Sequence, residues 1–94
     1  MPPLPHLGAT IFSMRLRILA FASASDALGA AESSFELADG NRVGDLRRAL
    51  LARYPALAPL LPRLAFAIDG EIAGADQALR EGAEVALLPP VSGG

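Results

Sequence analysis

Two glycines, Gly93 and Gly94, end the 94-residue chain directly after Pro89-Pro90-Val91-Ser92. A terminal carboxylate is a poor electrophile until ATP adenylates it. The acyl adenylate then carries a good leaving group, and a sulfur nucleophile can displace AMP to leave a thiocarboxylate. Glycine suits this chemistry because it has no Cβ: Gly94 can lie flat in a narrow channel with its acyl carbon open to attack, and Gly93 can thread alongside it. Pro89 and Pro90 restrict φ and favour extended backbone, so the segment 89–94 is expected to leave the fold as a flexible tail. Its maximal reach is about 20 Å, enough to cross the floor of another protein's cleft. The plain alternative is a frayed terminus with no task.

Other chemistry has little to work with. The chain contains no Cys, which removes disulfides, thiolate metal sites and cysteine nucleophiles. It contains no Lys either, all eight basic residues being Arg, so no side-chain amine can form a Schiff base or receive an isopeptide. His6 is the sole histidine and sits in a Pro-rich stretch, where it cannot assemble a Ser-His-acid or metal constellation. No catalytic side chain, cofactor or metal site is therefore expected. Asp69-Gly70-Glu71 reads as a hairpin turn, since adjacent strand residues face opposite sides. Arg47, Arg48 and Arg53 read as a solvated helix face. Gly40 and Gly44 lack phosphate-loop spacing.

Apolar residues make up 52% of the chain and charged residues 19%, a balance that favours one small folded domain over disorder. A net charge of −2 gives no basic footprint for nucleic acid. No apolar run is long enough to span a bilayer. Met1 to Ser13 lacks the positive start and clean apolar core of a signal peptide, so a cytoplasmic protein is expected, with residues 1–13 a dispensable, disordered N-terminal tail.

The elements that must position the terminus follow from periodicity. Arg15 to Phe21 alternates and predicts a strand with Leu16, Ile18 and Ala20 on one face. Ala22 to Ala31 is small and loop-like. Ser33 to Leu37 predicts a second strand, and Asp39-Gly40-Asn41 a turn. Val43, Leu46, Leu50 and Tyr54 are spaced by three or four, which predicts a helix over 42–54 that Pro55 ends. Ala56 to Pro62 reads as a Pro-punctuated linker with room for one helical turn. Leu64 to Ile68 predicts a third strand, turned by Asp69-Gly70 into Glu71-Ile72. Glu81-Gly82 precedes the last strand, Glu84 to Leu88.

One helix on one face of a mixed sheet is an α+β solution. The helix supplies a crossover that lets the two terminal strands pair in parallel at the sheet centre. That arrangement is the β-grasp, or ubiquitin-like, fold, expected over residues 14–88. If Leu16, Ile18, Val85 and Leu87 face the helix, then Leu19, Phe21, Ala86 and Leu88 face away, beside the departing Pro89, Pro90 and Val91. An apolar patch there is a place for a partner to dock, unless the segment 22–31 folds over it.

The chain resembles the small subunits of molybdopterin synthase, the MoaD-like sulfur carriers. The matching stretches are Leu19-Ala20-Phe21-Ala22, Asp26-Ala27-Leu28-Gly29, Val43-Gly44-Asp45-Leu46, Leu51-Ala52-Arg53-Tyr54-Pro55 and, most specifically, Glu81 to Gly94 with its Leu88-Pro89-Pro90-Val91-Ser92-Gly93-Gly94 ending. The resemblance implies a carrier whose Gly94 is adenylated, thiocarboxylated and inserted into the large subunit, where its sulfur passes to cyclic pyranopterin monophosphate. It implies three partners: that large subunit, an ATP-dependent adenylyltransferase of the ubiquitin-activating type, and a sulfur donor protein. Ser25 stands where many relatives carry Arg, and Arg42 where they often carry a Thr helix cap, which implies a weaker cap here. Three other readings stay open: a carrier for thiamine or tRNA thiolation, a modifier conjugated through Gly94, and an adaptor whose tail is idle.

Overall fold

A computed structural model describes residues 13–90. The expectations for residues 1–12 and for Val91, Gly93 and Gly94 lie outside these described residues. The first strand, β1, spans Ser13–Ala20, and a short helix, α1, spans Ser23–Leu28. Strand β2 (Glu32–Ala38) and helix α2 (Val43–Arg53) follow, then two 3-10 turns at Pro55–Leu57 and Leu61–Arg63. Strands β3 (Ala65–Ile68), β4 (Glu71–Ala73) and β5 (Glu84–Leu88) complete the sheet. Its order is β2-β1-β5-β3-β4, with β1 and β5 parallel at the centre and every other pair antiparallel.

The period-two pattern of β1 sets its faces. Met14, Leu16, Ile18 and Ala20 are buried, while Ser13, Arg15 and Arg17 between them are exposed. Their partners in register share the inner face, Ile18 opposite Val85 and Ala20 opposite Leu87. Val43, Leu46 and Leu50 of α2 complete the same core. Among the described residues no polar or charged residue is buried.

Three expectations need correction. Strand β1 starts at Ser13, which pairs with Ala38, one residue before the expected domain boundary. The segment 22–31 is not a loop throughout, because α1 forms within it and inserts Ala24, fully buried, into the core. The linker 56–62 gives way to two 3-10 turns, which drive Leu57 and Leu61 into the core. All three apolar contributions go to the inner side of the sheet, so α1 does not cover the outer face.

Helix α2 is capped without the missing Thr. The Arg42 guanidinium can only donate, and it does so to the Asp76 carbonyl at 2.8 Å. The Asp45 carboxylate accepts from the Arg42 backbone N–H at 2.8 Å, which is half of a capping box. The open N–H groups of Val43 and Gly44 donate to the carbonyls of Gln77 and Ala75 at 3.0 and 2.9 Å. A Cβ at position 44 would meet Ala75 at 3.4 Å, an ordinary contact, so the approach does not depend on glycine. The first turn is therefore satisfied by a neighbouring segment, and the expected cost of Arg42 does not arise.

The hairpin expected at Asp69-Gly70 forms. Both residues have positive φ, 50° and 90°, the signature of a type I′ turn. The Asp69 carboxylate accepts from Arg80 at 2.7 Å and from the Glu84 backbone N–H at 3.0 Å, which ties the hairpin to β5.

Candidate functional site

Register decides which side chains meet on the outer face. Leu19 pairs with Ala86, Ala86 with Ala67, and Ala67 with Ile72. These four residues form one apolar row across β1, β5, β3 and β4. A second row lies nearer the end of β5, where Leu88 pairs with Ala65. Phe21 belongs at that end too, two residues beyond Leu19.

Exposure is uneven along these rows. Ile72 is 70% exposed and Phe21 48%, the large apolar side chains most open to solvent among the described residues. Leu19, Ala86 and Leu88 are half-buried, and Ala67 is buried. The two prominent side chains flank the patch, and Leu19, Ala67, Ala86 and Leu88 form its floor. The described elements off the sheet bury their apolar residues in the core beneath the other face. Pro89, which follows β5, is half-buried, and Pro90 is exposed.

The opposite end of the face is charged, with Arg15 and Arg17 set among Glu32, Glu36 and Glu84. Arg17 Nε donates to Glu32 Oε2 at 2.6 Å and Arg17 Nη1 lies 3.6 Å from Glu84 Oε2. Arg15 and Glu36 approach to 3.6 Å. The hydrogen bond to Glu32 and its charge hold the Arg17 guanidinium above its usual pKa, with a smaller push from Glu84. The Arg17 charge is met locally by Glu32 and Glu84. The outer face thus runs from apolar surface near Pro89 to a charged end where carboxylates outnumber arginines by one.

Phe21 is presented by an unusual turn. Its carbonyl accepts from Ala24 N–H at 2.9 Å, closing a four-residue turn with Ala22 at the second position. Ala22 has φ 50° and ψ −126°, the geometry of a type II′ turn, which glycine normally supplies. An L-residue held there costs on the order of 1–3 kcal/mol. The Ala22 carbonyl accepts from Ser25 Oγ at 2.8 Å and from Ser25 N–H at 3.0 Å.

The structure thus brings together Leu19, Phe21, Ala86 and Leu88, with Pro89 and Pro90 following. Sequence reasoning missed Ala65, Ala67 and Ile72. A three-residue strand carries no readable alternation, so the face of Ile72 becomes legible only through its register with Ala67. Among the described residues no group of three or more His, Cys, Asp or Glu is placed to hold a metal ion.

The model of the ThiS family matches residues 18–94. The chain belongs to the ThiS family. A relative in Chlamydomonas reinhardtii, the "Molybdopterin synthase sulfur carrier subunit", is 37% identical over 86% of this chain and 100% of its own length. Among solved structures, small archaeal modifier protein 1 (SAMP1) of Haloferax volcanii superposes with a TM-score of 0.76 at 28% identity, over 85% of this chain and 99% of that one. The complex of subunits 1 and 2 of molybdopterin-converting factor from Helicobacter pylori contains a chain that matches with a TM-score of 0.61 at 27% identity. That match covers 86% of this chain and all of the other. In this ThiS family member the β-grasp core is therefore accounted for over nearly its whole length. No described helix is long and apolar enough to cross a membrane.

Proposed function

We propose that this chain is the sulfur carrier subunit of a molybdopterin synthase, acting in the cytoplasm with Gly94 as the carrier terminus. The observation that carries the reading is the joining of two features in one strand. β5 lends Ala86 and Leu88 to the outer apolar face and, through Pro89-Pro90, leads directly into Val91-Ser92-Gly93-Gly94. Affinity and chemistry then belong to different atoms. The large subunit docks on Leu19, Phe21, Ile72, Ala86 and Leu88, with Pro89, Pro90 and Val91 following into its active site.

The chemistry follows from the carboxylate. Gly94 attacks the α-phosphate of ATP on an adenylyltransferase, releasing pyrophosphate. Sulfide supplied by a sulfur donor protein then attacks the acyl carbon, the bond from that carbon to the phosphate oxygen breaks, AMP leaves, and the thiocarboxylate remains. In the large subunit that sulfur passes to cyclic pyranopterin monophosphate. No side chain of this chain takes part, which agrees with a composition free of Cys and Lys.

The test uses the chain with ATP, its activating enzyme and a sulfide source. Intact-mass measurement should show one oxygen replaced by sulfur, and fragmentation should place the change on Gly94. Deleting Gly94, or adding one residue after it, should abolish transfer while leaving subunit binding in place, because reaction needs the acyl carbon at near-attack distance. Sulfur transfer that survives the deletion would refute the carrier reading.

The likeness to small archaeal modifier protein 1 favours a second reading, a modifier conjugated through Gly94. Covalent adducts that persist on denaturing gels and vanish with Gly94 would select it.

A further inference from the structure

We propose that Ala22 and Ser25 are positioning residues: the turn they form holds Phe21 on the outer face in the orientation that docking requires. The inference rests on the reading of that face as the docking surface.

The chain is pinned on both sides of Phe21. Ala20 is buried, and its N–H donates to the Ala31 carbonyl at 2.8 Å. Ala24 is fully buried, and its N–H donates to the Phe21 carbonyl. Between these anchors the backbone must reverse from strand to helix within a few residues. Positive φ at Ala22 accomplishes the reversal, and strain of this kind persists where the surroundings over-determine the conformation. The Ser25 hydroxyl adds a side-chain bond to the Ala22 carbonyl, which also serves the N–H groups of Ser25 and Asp26 at 3.0 and 3.3 Å.

The result is a large apolar side chain, half exposed, carried by a backbone with little freedom. A docking residue held this way loses less conformational freedom on binding than one on a mobile loop. What matters at position 22 is accordingly the backbone conformation rather than the methyl group. Glycine reaches that conformation without strain, whereas a β-branched residue cannot hold it.

Three variants separate these contributions: Ala22→Val, Ala22→Gly and Ser25→Ala. Each is read by melting temperature, by 13C relaxation of the Phe21 ring in the free chain, and by calorimetric affinity for the large subunit of molybdopterin synthase. Phe21→Ala sets the scale. Ala22→Val should mobilise the ring and lose affinity approaching that of Phe21→Ala, and Ser25→Ala should fall several-fold. Ala22→Gly should bind nearly as well as the unaltered chain. If Ala22→Val does not fold, Ser25→Ala still decides. Ring order unchanged in Ser25→Ala overturns the proposal, as does equal affinity for the Val and Gly variants. A mobilised ring with unchanged affinity also overturns it, and Phe21→Ala then shows the source: if that variant binds normally too, the docking role of Phe21 has failed, not the turn.

Discussion

Ile72 and Phe21 lie on opposite sides of the outer face and are the side chains with most to gain from a partner. Burying a large apolar side chain completely contributes roughly 1.5–3 kcal/mol. With 70% of Ile72 still exposed, docking can draw on about 1–2 kcal/mol there. For Phe21, 48% exposed, the corresponding share is about 0.7–1.4 kcal/mol. Three strand spacings separate β1 from β4, roughly 14 Å, and the two residues occupy different rows. At that separation losses should add. The double variant Ile72→Ala/Phe21→Ala should therefore weaken binding to the large subunit by at most about 20- to 300-fold, at tenfold per 1.4 kcal/mol. Because these side chains already face water, the fold should keep its circular dichroism and nearly its melting temperature. Titration calorimetry of both single variants and the double variant provides the measurement. Affinity unchanged within experimental error in the double variant, with the fold intact, would refute the assignment of this face.

The remaining expectations concern the scaffold. Leu46→Ala removes a fully buried side chain from the centre of α2 and should cost about 2–5 kcal/mol in chemical denaturation, far more than either outer-face change. Asp45→Ala takes the acceptor from the Arg42 N–H and from the Arg48 guanidinium, so melting should fall by about 4–8 °C for a loss near 1 kcal/mol. Arg17→Gln breaks exposed pairs with Glu32 and Glu84; thermal melting should barely change, and a large drop would show that the charged rows support the fold.

Most of the scaffold was legible because its signals are periodic. Arg15 to Ala20 alternates, Val43, Leu46 and Leu50 recur at helical spacing, and Asp69-Gly70 specifies its turn chemically. Helix α1 was hidden because its inward residues are mostly small: Ala24 and Ala27 look the same in a loop as in a short helix. The capping of α2 was illegible for a different reason. Its acceptors, the carbonyls of Ala75 and Gln77, belong to the backbone and leave no trace in side-chain identity. The outer-face placement of Leu19, Phe21, Ala86 and Leu88 was legible, since parity along two strands suffices there. Ile72 required the full chain of register through β3, which no local pattern encodes.

The position of β5 has a consequence for how this protein comes into being. It is hydrogen-bonded to β1 on one side and β3 on the other. Without it the sheet separates into two unconnected hairpins, β1 with β2 and β3 with β4. Synthesis delivers β5 last, so no earlier length of chain can close the sheet, however long the ribosome pauses. The outer apolar row has the same dependence, because Ala86 joins Leu19 to Ala67. A chain without β5 therefore has no assembled outer row. The strand that completes the outer row is also the one that leads into residues 89–94, so loss of β5 removes the assembled face and the segment after it together.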